Sequence, residues 1–307
     1  MSTLPTPHFD KLNALIANEK LPEGDKARLE KTASGYREWI AALDAVTGSP
    51  DERISKMVEL LNSYRLAVDI DLIFDSEDDF LYRQKGQLKL DNSVIEEFLP
   101  RLIQPGTVPE TKGAEIIIGS ATSFLSVFFT SSMTEPSVGG GLNVRSKDQD
   151  FVIAKKLYIQ TSYSPTFEKE RSEVHQTCLA YVAAECKTNL DKTMFQEACA
   201  TARDTKLAVP AARYYLLCEW LDMTPMSTAT TDIDEVLILR MAKRINSNVR
   251  QKFSTTAGRK NARADYLSFL KAHPLRREIF ARFVEHVRSL LNDKPPEEKE
   301  VLKHGFF

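Results

Sequence analysis

In the stretch YVAAECKTNLDKTMFQEA, residues 181–198, Glu185 and Lys187 stand two apart with only Cys186 between them. If this run is extended, side chains alternate faces, so Glu185 and Lys187 point one way while Val182, Ala184 and Cys186 point the other. Such a pair is either a cross-face ion pair or one edge of a site for phosphodiester hydrolysis. That chemistry needs carboxylates to hold a divalent cation, plus a base or cation to orient the attacking water. The spacing alone is cheap, because Glu297 and Lys299 repeat it in the C-terminal tail. A second acid strengthens it. In SKDQDFVIAKKLYIQ, Asp150 immediately precedes an apolar strand pattern and can lie beside Glu185 from a neighbouring strand, with Asp148 as the same-face rival. On this reading Asp150 (or Asp148) and Glu185 hold Mg²⁺, while Lys187 orients water or neutralises charge growing on the phosphate. Lysine is also a residue whose pKa burial can lower. Gln196 and Glu197 approach the site if the following helix packs back over it, although a solvated polar face is the commoner role for such residues.

These residues need a sheet to hold them, and the chain has the pattern for one. After a helical texture from Asp10 to about Ile103, AEIIIGSATSFLSVFFTSS turns β-branched and aromatic, and FVIAKKLYIQTS and CLAYVAAECK predict further strands. NLDKTMFQEACATARDTK predicts a helix and ARYYLLCEWL a strand. Strand, helix, strand makes a crossover unit with parallel strands. The N-terminal helices are FDKLNALIAN, DKARLEKTASGYREWIAALDAV, PDERISKMVELLNSYRLAVDIDLIF and DNSVIEEFLPRLI, with TGSP at 47–50 breaking the second from the third. DIDEVLILRMAKRINSNVRQKF and PLRREIFARFVEHVRSLLND predict C-terminal helices separated by the polar STTAGRKNARAD, and PPEEKEVLKHGFF closes the chain as an appendage. The expected fold is α/β: a mixed-sheet core at 111–231, flanked by a helical N-terminal region at 1–110 and basic helices at 232–307. The glycine-rich SVGGGLNV lacks the lysine of a phosphate-binding loop and is expected to be a flexible loop beside the site. DSEDDF at 75–80 is expected to be a solvated acidic loop.

The net charge of −2 conceals an asymmetry. Residues 51–100 carry six Lys/Arg against twelve Asp/Glu, whereas residues 240–290 carry thirteen against three. A basic face of that density attracts a polyanion such as nucleic acid, and Arg259, Lys260 and Arg263 are its candidate DNA contacts. The plainer alternative is that the acidic half balances it within the fold. Cys178, Cys186, Cys199 and Cys218 show no C-x-x-C spacing, so reduced core thiols are expected rather than zinc or disulfides. His175, His273 and His286 sit in no recognisable nucleophile setting. No apolar run approaches the roughly 20 residues needed to cross a bilayer, and the N-terminus lacks a leader pattern, so a cytoplasmic protein without a membrane partner is expected.

An acid opening one strand and E-x-K at the end of the next resembles the PD-(D/E)xK nuclease superfamily. Gln149 stands where proline is usual, and 34 residues separate Asp150 from Glu185. The likeness extends through NVRSKDQDFVIAKKLYIQ, AAECKTNLDKTMFQEA and YYLLCEWLDMTPMSTATTDIDEVLILR. These stretches resemble the type II restriction endonucleases that recognise the interrupted sequence CCTNAGC, over much of the chain after about residue 60. The resemblance implies Mg²⁺-dependent cleavage of double-stranded DNA to 5′-phosphates, a restriction-endonuclease-like fold and a second nuclease subunit. It places Glu185 and Lys187 on the E-x-K and Asp150 (or Asp148) on the upstream acid. Two other readings stay open: a DNA-binding protein that does not cut, and a repair nuclease with the same site chemistry.

Overall fold

The computed structural model describes residues 4–293 and 296–305. Five helices come first: α1 (Pro7–Ile16), α2 (Glu23–Asp44), α3 (Pro50–Ala67), α4 (Asp79–Leu88) and α5 (Ser93–Leu102). The break at 47–50 is where the sequence put it. Ser49 accepts from the backbone N–H of Glu52 while the Glu52 carboxylate accepts from that of Ser49, a reciprocal cap, and Pro50 takes the first helical position. The helix then widens into a π-turn over Val68–Phe74.

Next come β1 (Ile117–Phe129), β2 (Leu142–Ser162), β3 (Ser172–Leu190), α6 (Lys192–Ala208), β4 (Arg213–Leu221) and β5 (Glu235–Ile238). The sheet order is β1-β2-β3-β4-β5. The first three strands pair antiparallel, while β3/β4 and β4/β5 pair parallel. The β3–α6–β4 crossover is therefore the expected one. The helices α7 (Ser247–Gln251), α8 (Thr256–Ala272), α9 (Arg277–Asn292) and α10 (Glu298–His304) complete the chain. Of the closing segment, Pro295, Phe306 and Phe307 lie outside the described residues, as does Lys294 before it.

Alternation along the strands builds two cores. Phe151, Ile153, Val182, Ala184, Cys186 and Tyr215 pack toward the N-terminal helices and α9. Val152, Ala154, Ala183, Tyr214 and Leu216 pack toward Phe195, Ala198 and Ala202 of α6. A smaller cluster joins Ile70 and Phe74 of the π-turn to Trp220, Phe253 and Leu270. All four cysteines are free, three of them buried.

Three expectations need correction. The segment 232–253 is not one helix: Glu235–Ile238 pairs in parallel with Tyr215–Cys218 as β5, because a short run with Val236, Leu237 and Ile238 beside an open sheet edge gains ladder hydrogen bonds that a helix cannot offer there. STTAGRKNARAD is no spacer but the cap and first turns of α8, with the Thr255 hydroxyl accepting from Gly258 N–H at 3.2 Å. SVGGGLNV does not lie beside Glu185. Its turn rests on the β2–β3 hairpin, with Thr161 donating to the Gly139 carbonyl at 2.7 Å. Gly139 has φ +58°, and an added Cβ would meet that of Glu173 at 2.5 Å, so glycine is required by backbone and space together.

Candidate active site

Asp150 immediately precedes Phe151, which pairs with Ala184 across the β2–β3 ladder, so the next step of the register sets Asp150 beside Glu185. Its Oδ2 accepts from the backbone N–H of Cys186 at 3.0 Å, pinning the carboxylate to the middle residue of the E-x-K. Glu185 and Lys187 share the α6-facing side, as the alternation demanded. The Lys187 ammonium lies 2.7 Å from Glu185 Oε1, and the Tyr214 hydroxyl donates to Glu185 Oε2 at 3.0 Å from the adjoining strand. Asp148 goes elsewhere: it is exposed and accepts from the Thr122 hydroxyl at 2.6 Å across the β1–β2 ladder. Gln196 and Glu197 are exposed on the solvent face of α6.

Four further residues close the constellation, and sequence spacing did not reveal them. Lys89, just past α4, adopts a left-handed φ of 49°, which is uncommon for a lysine. Its ammonium reaches Asp150 Oδ1 at 3.3 Å and Glu96 Oε1 at 3.8 Å. Glu96 of α5 also pairs with Lys11 at 3.3 Å. Asn92 donates its amide to Glu96 at 3.1 Å and to the Cys186 carbonyl at 2.7 Å, tying the helix to the strand. Tyr214 completes the set. A hint was present in DNSVIEEF, an acid-bearing apolar helix. The neighbouring Glu97 looks identical in sequence yet is structural, accepting from Tyr36 and Arg101, both at 2.8 Å.

The electrostatics assign roles. Burial alone would lower the Lys187 pKa, but the hydrogen bond and charge of Glu185 outweigh it and the value is raised. The sequence-based notion of a burial-lowered lysine is thereby corrected: Lys187 remains a cation at neutral pH. Lys89 behaves alike, burial opposed and exceeded by Asp150 and Glu96. Glu96 is shifted upward by burial and then by Asp150, against the pull of Lys11 and Lys89. Burial pushes the Cys186 thiol far up, so it stays neutral and unreactive.

Among the described residues no three His, Cys, Asp or Glu side chains converge as a ready metal cage. The donors at hand are nonetheless all oxygen: Asp150 and Glu185, each with lone pairs beyond those used by its present partners. One or two carboxylates completed by water and phosphate are the habit of Mg²⁺, whereas zinc prefers a nitrogen and sulfur cage. The residues thus fit a hard divalent cation.

The basic C-terminal region is largely answered from within the protein. Arg263 pairs with Asp75 at 2.8 Å, Arg277 with Asp51 at 2.7 Å and Arg288 with Glu110 at 3.0 Å. Arg259 is only 1% exposed, and its guanidinium donates to Asp79 and to the carbonyls of Phe74, Ser76 and Phe253. It holds the 74–79 turn against α8 and is not presented to a ligand. The acidic stretch 75–80 is correspondingly less a solvated loop than the counter-charge of α8. Lys243, Lys252, Lys260 and Lys271 meet no carboxylate within 4 Å among the described residues.

Comparison with known proteins bears on the fold and the family. No curated protein sequence matches the chain significantly. In structure it is similar to a chain of the "native BbvCI A2B2 tetramer at low resolution", with a TM-score of 0.61 and 19% identity, covering 88% of this chain and 99% of that one. That likeness establishes a restriction-endonuclease-like α/β fold. The profile described as Bpu10I restriction endonuclease matches residues 87–307, which include Lys89, Asn92, Glu96, Asp150, Glu185, Lys187 and Tyr214. A match over that much of the chain makes this protein a member of the Bpu10I restriction endonuclease family.

Proposed function

We propose that this chain is a subunit of a type II restriction endonuclease that hydrolyses double-stranded DNA with Mg²⁺ and leaves 5′-phosphates. The observation carrying the reading is the meeting of Asp150 with Glu185 and Lys187 on adjacent strands, in a chain of this family. The core at 111–231 bears the carboxylates, the N-terminal region supplies Lys89 and Glu96, and an interrupted target of the CCTNAGC type is the recognition sequence.

When bound, the cation supplies charge neutralisation of the phosphate and a more acidic water. Asp150 and Glu185 would hold it, with Asp150 fixed by the Cys186 N–H and Glu185 by Tyr214. Lys187, kept protonated by Glu185, turns toward the phosphate and offsets charge as the fifth oxygen bonds. Lys89 pairs with Asp150 at 3.3 Å and, with Glu96 at 3.8 Å as its other partner, would leave the Asp150 carboxylate for the cation. Asn92 keeps the Cys186 carbonyl, and with it the strand end, in place.

A double-strand break attacks two phosphates, and this chain carries one E-x-K set in a sheet, so a second subunit is proposed. The A2B2 assembly named for the structural match supports that choice. A cytoplasmic place of action is proposed on the target; among the described residues no helix is long and apolar enough to cross a membrane.

One observation favours a second reading, a DNA-binding subunit that does not cut. Each site carboxylate already faces a lysine, as a structural ion-pair cluster would require. Plasmid cleavage by wild type and Glu185→Gln, each alone and with a related second chain, with and without Mg²⁺, decides between them. Loss of Mg²⁺-dependent cutting in the variant with retained DNA binding is expected. Wild-type rates in Glu185→Gln would remove the site.

A further inference from the structure

Beyond Lys187, away from the carboxylates, a cavity of about 580 Å³ opens toward the C-terminal helices. Its volume falls within the roughly 300–1,000 Å³ of pockets that bury small molecules. It lies past the carboxyl ends of the parallel strands β3 and β4, lined there by Asn189 and Trp220, which is where open α/β sheets bind ligands. The cleavage chemistry uses only its rim.

The lining combines two characters. One is cationic: Lys85, Arg244 and Arg250 join Lys89 and Lys187 around it. Lys85 meets no carboxylate within 4 Å among the described residues and rests 4.7 Å over the Tyr82 ring. The acids on the same wall are already committed, Asp69 to Arg65 and Arg240, and Asp91 to the Asn92 N–H at 2.9 Å. The other character is aromatic: Tyr82, Trp220, Phe253 and Tyr266 give ring surface to the same space. Asn92 adds a buried Oδ1 with no donor.

A site for phosphate alone has no use for four rings, and a site for an apolar molecule has none for a cluster of cations in which Lys85 meets no carboxylate among the described residues and Arg244 and Arg250 share the single Asp222 at 3.0 and 3.8 Å. A nucleotide uses both, with its base on the rings and its phosphate on the ammonium and guanidinium groups. The unpaired Asn92 oxygen suits an exocyclic or ring N–H of a base. We infer that this cavity receives one nucleotide of the DNA strand next to the scissile phosphate, turned out of the stack, with Lys85 and Arg244 on its phosphate and Tyr82 and Tyr266 against its base. Its assignment to a DNA strand rests on the endonuclease reading; the affinity for a nucleotide does not.

The test uses Trp220 as reporter, since the chain has only Trp39 and Trp220. Deoxynucleoside 5′-monophosphates are titrated into the Trp39→Phe variant in EDTA, with calorimetry on the wild-type chain as a parallel measurement in case that variant does not fold. Saturable quenching is expected, with inorganic phosphate binding at least about tenfold more weakly and Lys85→Ala, or Arg244→Ala, costing about tenfold in affinity, or 1.4 kcal/mol. No saturable signal, equal binding of inorganic phosphate, or unchanged affinity in both variants overturns the site. The second arm places 2-aminopurine beside the mapped cut position of a duplex. A several-fold fluorescence rise on binding, absent in Lys85→Ala, supports the strand nucleotide. Free nucleotide binding without that rise overturns the strand assignment and leaves a site for soluble nucleotides. Because the first arm needs neither metal nor cleavage, a failure of the endonuclease reading cannot be mistaken for a failure of the pocket.

Discussion

At the scale of single residues, the site turns on which groups touch which carboxylate. Asp148 and Asp150 are two apart, and on sequence grounds Asp148 is the same-face rival of Asp150, yet Thr122 holds Asp148 on the open face while the Cys186 N–H draws Asp150 to Glu185. Asp150→Asn is therefore expected to lower Mg²⁺-dependent cleavage at least about a hundredfold, and Asp148→Asn to stay near wild type, in single-turnover assays. A comparable loss in both would refute the placement. On the proposed reading Glu96 is a positioning residue that acts through its contacts with Lys89 and Asn92. Glu96→Gln should cost about 10–100-fold, with part of the loss recovered at higher Mg²⁺, as outer ligands of metal sites behave. A rate independent of Mg²⁺ concentration in that variant would assign Glu96 to folding instead.

Elements carry their own test. Helix α1 docks through His8, whose ring bonds Ser93 at 2.9 Å and Tyr64 at 2.8 Å. Burial, with Arg65 and Lys11 adding to it, lowers the His8 pKa to about 3. The unfolded histidine takes a proton near pH 6.5 while the folded one does not, so the native state loses stability as pH falls from about 6.5 toward 3. The slope is about 1.4 kcal/mol per pH unit for this group. Urea unfolding at pH 7, 5.5 and 4.5 should show His8→Gln less stable than wild type at pH 7 but flatter with acid. Parallel curves would mean that His8 does not titrate between the two states. The turn at 74–79 and α8 depend on Arg259 in the same way. Arg259→Ala leaves several carbonyls without a donor, and should lower stability by about 3 kcal/mol, read by denaturant titration.

Over the whole molecule, acidic N-terminal and basic C-terminal segments largely neutralise one another across the fold, and the cations of 240–290 left without a carboxylate among the described residues are four lysines and Arg276. DNA contact is expected from Lys243, Lys252 and Lys260 rather than from Arg259. Replacing all three by Ala should flatten the salt dependence of binding by about one unit per lost contact, with little change in stability. An unaltered slope would place the DNA on another face. The purified chain alone should nick a one-site plasmid or leave it intact, and should linearise it only with a related second chain. Efficient linearisation by this chain alone at an asymmetric site would remove the need for that partner.

Local regularities settled a good deal. Periodicity located α1, α2, α3, α5, α6 and α9, the crossover from β3 to β4, and the shared face of Glu185 and Lys187, because each depends on neighbours a few residues away. The short strand Glu235–Ile238 and the polar onset of α8 escape the sequence pattern, since a four-residue strand has no period of its own and α8 begins on an exposed turn. Tertiary structure alone set Asp150 rather than Asp148 beside the E-x-K, brought in Lys89, Asn92 and Glu96 from beyond 50 residues away, and matched Arg259 to a turn 180 residues upstream. Those choices rest on hydrogen bonds and ion pairs between distant segments. The pattern of a strand or helix states which face a side chain occupies, and the packing of other segments against that face determines what it meets.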